Sequence, residues 1–169
     1  THEALDPVRY ITNPSSGKMG YAVACAARDR GAAVTLVSGP TRLPVPDGVH
    51  FMPCRKAIEM NDLVHRQFPD CDVLVMSAAV GDFAPMQIEK EKIKKKGSTP
   101  LVLELVPTED ILQNVVKLKT RQFVVGFAAE SENLTQSALE KLRNKKLDLI
   151  VANDISAPGI GFQSDFNQV

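Results

Sequence analysis

The sequence predicts an α/β domain built on a doubly wound, mostly parallel sheet (Rossmann-like), and three observations carry that expectation. Short β-rich apolar runs alternate along the chain with stretches of helical spacing, the order that βαβ units produce. Several runs, such as Asp72-Val73-Leu74-Val75-Met76 and Phe123-Val124-Val125, are apolar at consecutive positions, as strands covered on both faces require. Hydrophobic residues make up 44% of the chain but aromatics only 5%, so Val, Ala, Leu and Ile must fill the space between helices and sheet.

The chain's 169 residues suit one domain, 1–169, with a single core. Lys plus Arg and Asp plus Glu balance at 20 each, which leaves no global field to attract nucleic acid or a membrane surface. No apolar run approaches a membrane span, and no signal peptide is visible. Cys25, Cys54 and Cys71 are far apart without C-x-x-C spacing, and read as buried or free thiols of a reduced, cytoplasmic protein. His2, His50 and His65 are scattered singly, poor material for a metal site.

The elements follow in order. Leu5-Asp6-Pro7-Val8-Arg9 is a loop-like entry with at most a short extended piece at 8–11. Thr12-Asn13-Pro14-Ser15-Ser16-Gly17-Lys18-Met19-Gly20 combines turn formers, hydroxyls and glycines and runs straight into a helical pattern. Ser15 or Ser16 can cap that helix, whose N-terminus then favours an anion. Met19 after Gly17-Lys18 rules out a P-loop, and Gly17-x-x-Gly20 is half of a dinucleotide fingerprint. An alanine-rich helix through 21–27 stops at Asp29-Arg30-Gly31. Strands are expected at 33–37, broken by Ser38-Gly39-Pro40, and at 49–52, followed by a helix at 56–68.

The apolar strand at 72–79 empties into Val80-Gly81-Asp82-Phe83-Ala84-Pro85. A strand at 101–106, a helix at 109–119 capped by Thr108, a strand at 123–129, a helix at 133–146 and a strand at 147–152 complete the alternation. The tail from Asn153 is turn-rich. In such folds ligands sit at the carboxyl ends of strands, which singles out the loops 38–46, 77–97, 107–110, 129–133 and 153–162. A doubly wound domain normally places a strand just before its Gly-rich turn. Here a Pro-containing loop precedes Asn13 and the tail stops abruptly at Gln168-Val169, so the chain is expected to be trimmed at both ends.

Five features bear on chemistry, and each has a plain structural alternative. The run Glu89-Lys90-Glu91-Lys92-Ile93-Lys94-Lys95-Lys96 lies in a connection, 80–100, longer than the ~12–15 residues usual for a structureless loop. It is either a lid that folds over a triphosphate or a solvated charge run. Ser77-Ala78-Ala79 leaves room for a base or ribose, and Asp82 holds a hydroxyl or Mg²⁺, or caps a turn. Glu109 and Asp110 at a helix start share that ambiguity. Lys141 and Lys145 lie one helical turn apart on a common face, and Phe127 is either core or a base-stacking residue. No Ser-His-Asp, Cys-His or paired-carboxylate set stands out, which favours chemistry by positioning and charge neutralisation, as in nucleotidyl transfer.

These residues in this order resemble the phosphopantothenoylcysteine synthetase family, the phosphopantothenate–cysteine ligases of coenzyme A biosynthesis. The likeness runs through 5–11, 13–20, 34–40, 78–82, 91–95, 125–130 and 152–155, and is strongest to the bacterial form, commonly fused to a flavin-dependent decarboxylase. It implies a nucleotide-binding ligase domain. CTP activates 4′-phosphopantothenate as an acyl-cytidylate with release of pyrophosphate, Mg²⁺ assists, and the amine of cysteine displaces CMP. By position it implies Asn13 and Lys92 as catalytic residues, Asn13 at the acyl intermediate and Lys92 on the lid. It also implies nucleotide contacts at Met76, Ser77, Ala78, Asp82, Lys92, Glu109, Asp110, Ile111, Leu112, Phe127, Lys141 and Lys145. Asp82 is the one metal candidate. Glu109 stands where close relatives often have proline. The resemblance further implies a homodimer.

Two rivals fit less of the chain. An NAD(P)-binding oxidoreductase wants a full G-x-G-x-x-G and an acidic residue after the next strand, where Ser38-Gly39-Pro40 stands instead. A non-enzymatic nucleotide-binding module explains the fold but gives the lysine run no role.

Overall fold

A computed structural model describes residues 1–95, 97–130, 133–154 and 169. The order is β1 (His2–Ala4), β2 (Tyr10–Thr12), α1 (Lys18–Asp29), β3 (Thr35–Ser38), β4 (His50–Pro53), α2 (Ala57–Gln67), a 3₁₀ turn (Phe68–Asp70), β5 (Val73–Met76), β6 (Phe83–Pro85), β7 (Leu105–Pro107), α3 (Ile111–Val116), β8 (Phe123–Glu130), α4 (Leu134–Asn144) and β9 (Leu149–Asp154). Parallel pairing dominates, as the apolar runs predict. β8 lies between β5 and β9 in one parallel sheet, and β3 pairs with β4 in another. The two antiparallel pairs are the small ribbons β1–β2 and β6–β7.

The core forms where α2, α3 and β8 meet. Phe68, Val115 and Val124 are its fully buried side chains, and Met60, Val64, Ile111, Leu112 and Leu147 close around them. Gly126 lets Leu147 approach β8, because a Cβ at that position would lie 2.6 Å from Leu147 Cδ1. The described thiols are free; burial pushes the Cys54 thiol up to about 11. No helix among the described residues is long and apolar enough to cross a membrane.

The structure moves several boundaries. The strand expected at 101–106 shrinks to Leu105–Pro107, and its partner β6 was not foreseen in the Pro-containing segment after Asp82. The helix at 109–119 contracts to Ile111–Val116, and its cap is Asp110, whose carboxylate accepts the Gln113 N–H at 3.0 Å. Thr108 does not cap because its hydroxyl donates to Gly81 O at 2.6 Å, tying the start of α3 to the turn after β5. Neither Ser15 nor Ser16 is the N-cap of α1. Gly17 occupies that place at φ +78°, and a Cβ there would meet Thr41 Cγ2 at 2.7 Å. The last strand slides from 147–152 to Leu149–Asp154, because Leu147 packs in the core and Asp148 accepts the Val124 N–H at 2.7 Å while pairing with Lys119. A strand does precede the Gly-rich turn, but it is β2, antiparallel to β1. The tail reading from 155 to 168 lies outside the described residues.

Truncating Phe68 to Ala removes the largest fully buried ring and leaves a cavity between α2 and the sheet, at an expected cost of about 3–5 kcal/mol. Urea unfolding checks this; a loss under about 1 kcal/mol contradicts the assigned core.

Candidate functional site

β5 ends at Met76, opposite Gly126, while β8 and β9 run on side by side to Glu130 and Asp154, and a cleft of about 640 Å³ opens where β5 stops. Met76 closes β5 and is followed by Ser77, Ala78, Ala79 and Val80; Phe127 and Ala128 come from β8, and Asn153 from β9. One wall is the turn from Asn13 through Gly20 that opens α1, and the other joins the start of α3 to Lys141 and Lys145 near the end of α4. This is the carboxyl-end position expected for a ligand in a parallel sheet.

The walls are held by backbone and side-chain ties. The Asn13 amide donates to Val80 O at 3.2 Å and Ala79 O at 3.5 Å, fixing the Gly-rich turn against the strand end. Gly20 lets α1 come close: a Cβ there would lie 3.0 Å from Ser77 Oγ. The α1 start carries no acidic residue in its first turn, so the partial positive charge of its N-terminus faces the cleft undiminished by a local carboxylate.

Opposite, Lys141 Nζ donates to Phe127 O at 2.6 Å and Lys145 Nζ pairs with Asp110 Oδ2 at 2.7 Å. Both ammonium groups are thereby aimed, one by a β8 carbonyl and the other by the α3 cap. Glu109 Oε2 accepts from the amides of Asn61 at 3.2 Å and Asn114 at 2.9 Å, so its carboxylate is set at the rim by two donors, Asn61 being buried. Burial pushes the Asp110 carboxyl up, but the Lys145 ammonium and the Gln113 N–H outweigh it and hold its pKa below the ordinary value.

The structure brings Asn13, Met76, Ser77, Ala78, Asp82, Glu109, Asp110, Ile111, Leu112, Phe127, Lys141 and Lys145 to one cleft. Ile111 and Leu112 are buried core residues as well as lining. Lys92 is not part of the lining; it stands exposed on the loop between β6 and β7. Asn153 was not foreseen. It is buried, faces the cleft, and its Oδ1 accepts no hydrogen bond among the described residues. The rule that ligands meet strand ends pointed to the segment beginning at 153, but nothing in the sequence set Asn153 apart from its neighbours.

The donor set suits a nucleotide: a helix N-terminus and two ammonium groups for phosphates, small residues for a flat ring, and an orphaned buried acceptor for a hydrogen-bond donor. No cluster of three or more His, Cys, Asp or Glu able to hold a metal occurs among the described residues. Mg²⁺ is ordinarily held through one or two carboxylates together with substrate phosphates, and the cleft carboxylate of Asp82 is compatible with that mode.

A family model described as the DNA/pantothenate metabolism flavoprotein C-terminal domain matches residues 1–169. The chain belongs to this family. Over 169 residues it is 47% identical to the coenzyme A biosynthesis bifunctional protein CoaBC of Vibrio cholerae, covering 99% of this chain and 42% of that protein. It is 46% identical over 170 residues to the CoaBC protein of Bacillus subtilis, covering 100% of this chain and 42% of that one. The chain thus spans about two fifths of the length of these relatives. A crystal structure of the C-terminal domain of a CoaBC protein superposes with a TM-score of 0.81 at 42% identity, over 91% of this chain and 72% of that one. The flavoprotein of the same description from Streptococcus pneumoniae, 23% identical over 99% of this chain and 87% of its own, gives the same TM-score and supports the fold alone. The expected Rossmann-like α/β class is the fold of this flavoprotein C-terminal family.

The Asp110–Lys145 pair gives a pH test. A depressed folded-state pKa contributes stability that is present above the unfolded value, about 4, and is lost as pH falls below it. Asp110→Asn keeps an acceptor for the Gln113 N–H but loses the ion pair, at about 0.5–1 kcal/mol for a half-exposed pair. Thermal melts should show the variant less stable at pH 7 and the two proteins converging below pH 4. Parallel curves at every pH would mean that the pair contributes nothing.

Proposed function

We propose that this domain joins 4′-phosphopantothenate to cysteine in coenzyme A biosynthesis, activating the carboxylate with CTP. The observation that carries the reading is the cleft itself. It gathers an amide, a helix N-terminus, two aimed ammonium groups and an orphaned acceptor from chain segments as distant as Asn13 and Asn153. No nucleophilic side chain is needed, because the carboxylate of the substrate attacks the α-phosphate of CTP and pyrophosphate leaves. The amine of cysteine then attacks the acyl-cytidylate carbonyl, forming the amide and releasing CMP.

Each residue has a role suited to its chemistry. Lys141 and Lys145 neutralise phosphate charge, and the α1 N-terminus adds its partial positive charge. Met76, Ser77 and Ala78 leave space for base and ribose, with Phe127 beside them, while Glu109, Asp110, Ile111 and Leu112 form the facing wall. Asn13 keeps its bond to Val80 O and turns the N–H that reaches Ala79 O only at 3.5 Å toward the acyl oxygen as it gains charge. Asp82 would hold Mg²⁺ accompanying the triphosphate, and the ion would supply further charge neutralisation. Lys92, on its loop, supplies a cation that arrives as that loop closes.

The names of the relatives support a further proposal, that this domain works fused to a flavin-dependent decarboxylase in a cytoplasmic bifunctional protein. We also propose that it works as a homodimer, with no nucleic-acid or membrane partner. The β6–β7 ribbon and the end of the loop that leads into β7 expose Phe83, Leu101, Val102 and Leu105, apolar side chains suited to a second copy.

Incubation with CTP, Mg²⁺, phosphopantothenate and cysteine should yield pyrophosphate, and CMP in step with amide. A domain that releases no pyrophosphate under these conditions is not this ligase. Lys92→Gln should depress kcat about 100-fold or more while leaving Tm within about 2 °C, because an exposed loop lysine contributes little to the core. Asn13→Asp loses both amide donors and should slow turnover at least about ten-fold. Parent-like turnover by either variant removes the role given to that residue.

A further inference from the structure

The loop bearing Lys92 is attached to the rest of the protein in an unusual way. Asp6, in the turn between β1 and β2, is buried although its neighbours Pro7, Val8 and Arg9 are exposed. Its two carboxylate oxygens divide their work. Oδ1 accepts the N–H groups of Val8 and Arg9, both at 2.9 Å, which is the local bonding of an Asx-type turn. Oδ2 accepts Arg9 Nε at 2.9 Å and the backbone N–H of Ile93 at 3.0 Å. Arg9 Nη2 then donates to Ile93 O at 2.5 Å. Both backbone groups of one loop residue are held by two side chains more than eighty positions away in sequence. A second tie runs from Glu89 N–H to Leu5 O at 2.9 Å. Lys90, Glu91 and Lys92 are exposed and strung between these two anchors.

A turn requires Oδ1 alone. The second oxygen and the guanidinium serve the loop, and charge-assisted bonds of this kind are roughly twice as strong as neutral ones. Burial pushes the Asp6 carboxyl up, yet the Val8 and Ile93 N–H groups and Arg9 hold its pKa well below the ordinary carboxylate range, so the anion persists throughout neutral pH.

We propose that Asp6 and Arg9 form a mooring that fixes the pivot of the lysine loop at Ile93, and that Asp6 is thereby a positioning residue for Lys92. The mooring stands on this geometry; its consequence for turnover rests on the ligase reading. With the base of the loop fixed on both sides, the ammonium of Lys92 searches a small volume about that pivot instead of the whole surface, and less chain entropy is lost when the loop closes.

Asp6→Asn tests this selectively. The asparagine oxygen can still accept the Val8 and Arg9 N–H groups, but its amide presents a donor to Arg9 Nε and Ile93 N–H where an acceptor stood. Limited trypsin digestion of the parent should cut within 90–95 at least about ten-fold more slowly than digestion of the variant, because a moored backbone opens less often. Arg9→Gln, which loses the bond to Ile93 O, should behave likewise and serves if Asp6→Asn does not fold. Equal cutting rates overturn the mooring whatever the enzyme does.

The readout on turnover is a double-mutant cycle. Asp6→Asn should lower kcat about ten-fold in the parent and have no further effect in the Lys92→Gln background. A merely structural role would lower kcat by the same factor in both backgrounds, and that result overturns the positioning role. If the parent makes no pyrophosphate, the ligase reading and the positioning role fall together, while trypsin alone decides the mooring.

Discussion

The parallel register of β5, β8 and β9 is the constraint on which the rest depends. Met76, the last residue of β5, stands opposite Gly126, and Gly126 opposite Ile150, so β5 stops beside a floor that β8 and β9 continue. A slip of one residue in β8 would turn Phe127 to the opposite face and replace Gly126 with a side chain against Leu147, where a Cβ already finds an atom at 2.6 Å. The glycine that allows Leu147 to enter the core therefore also keys the register, and the register sets the depth of the cleft. Folding stability and site geometry are specified by the same few atoms.

Much of this was legible in the sequence because it depends on period and composition. Consecutive apolar residues at 73–76 and 123–125 gave the parallel sheet, and the carboxyl-end rule then named the loops that line the cleft. Caps were less legible. Thr108 and Asp110 are both good caps by type, and only the tertiary bond from Thr108 to Gly81 O decides between them. Ser16 lost its place to Gly17 for a similar reason, since the approach of Thr41 demands a residue without Cβ in a left-handed conformation. The run Leu101-Val102-Leu103 looks like a strand by propensity, yet Val102 is 86% exposed and the ladder begins only at Leu105. Propensity reports what a segment prefers when a neighbour is present to pair with it.

The cations of the cleft illustrate electrostatic preorganisation. Lys141 is oriented by the Phe127 carbonyl within β8 and Lys145 by the carboxylate that caps α3. Long lysine side chains normally lose considerable rotamer freedom when they meet an anion. Here that ordering is part of the fold, and the phosphate proposed to bind there would meet charges already in position. Lys90 and Lys92 are different, because there the bonds hold the backbone of their neighbours Glu89 and Ile93 and the two side chains stand exposed.

Asn153 shows the opposite arrangement, a buried acceptor that meets no donor among the described residues. An unsatisfied buried oxygen of this kind costs about 1–3 kcal/mol, and a guest that donates a hydrogen bond to it recovers that cost as affinity. A guest presenting a carbonyl at the same point recovers nothing and sets two lone pairs face to face. A guest seated against Asn153 would thereby be selected by penalty, and the molecules refused would be defined by the proton they lack.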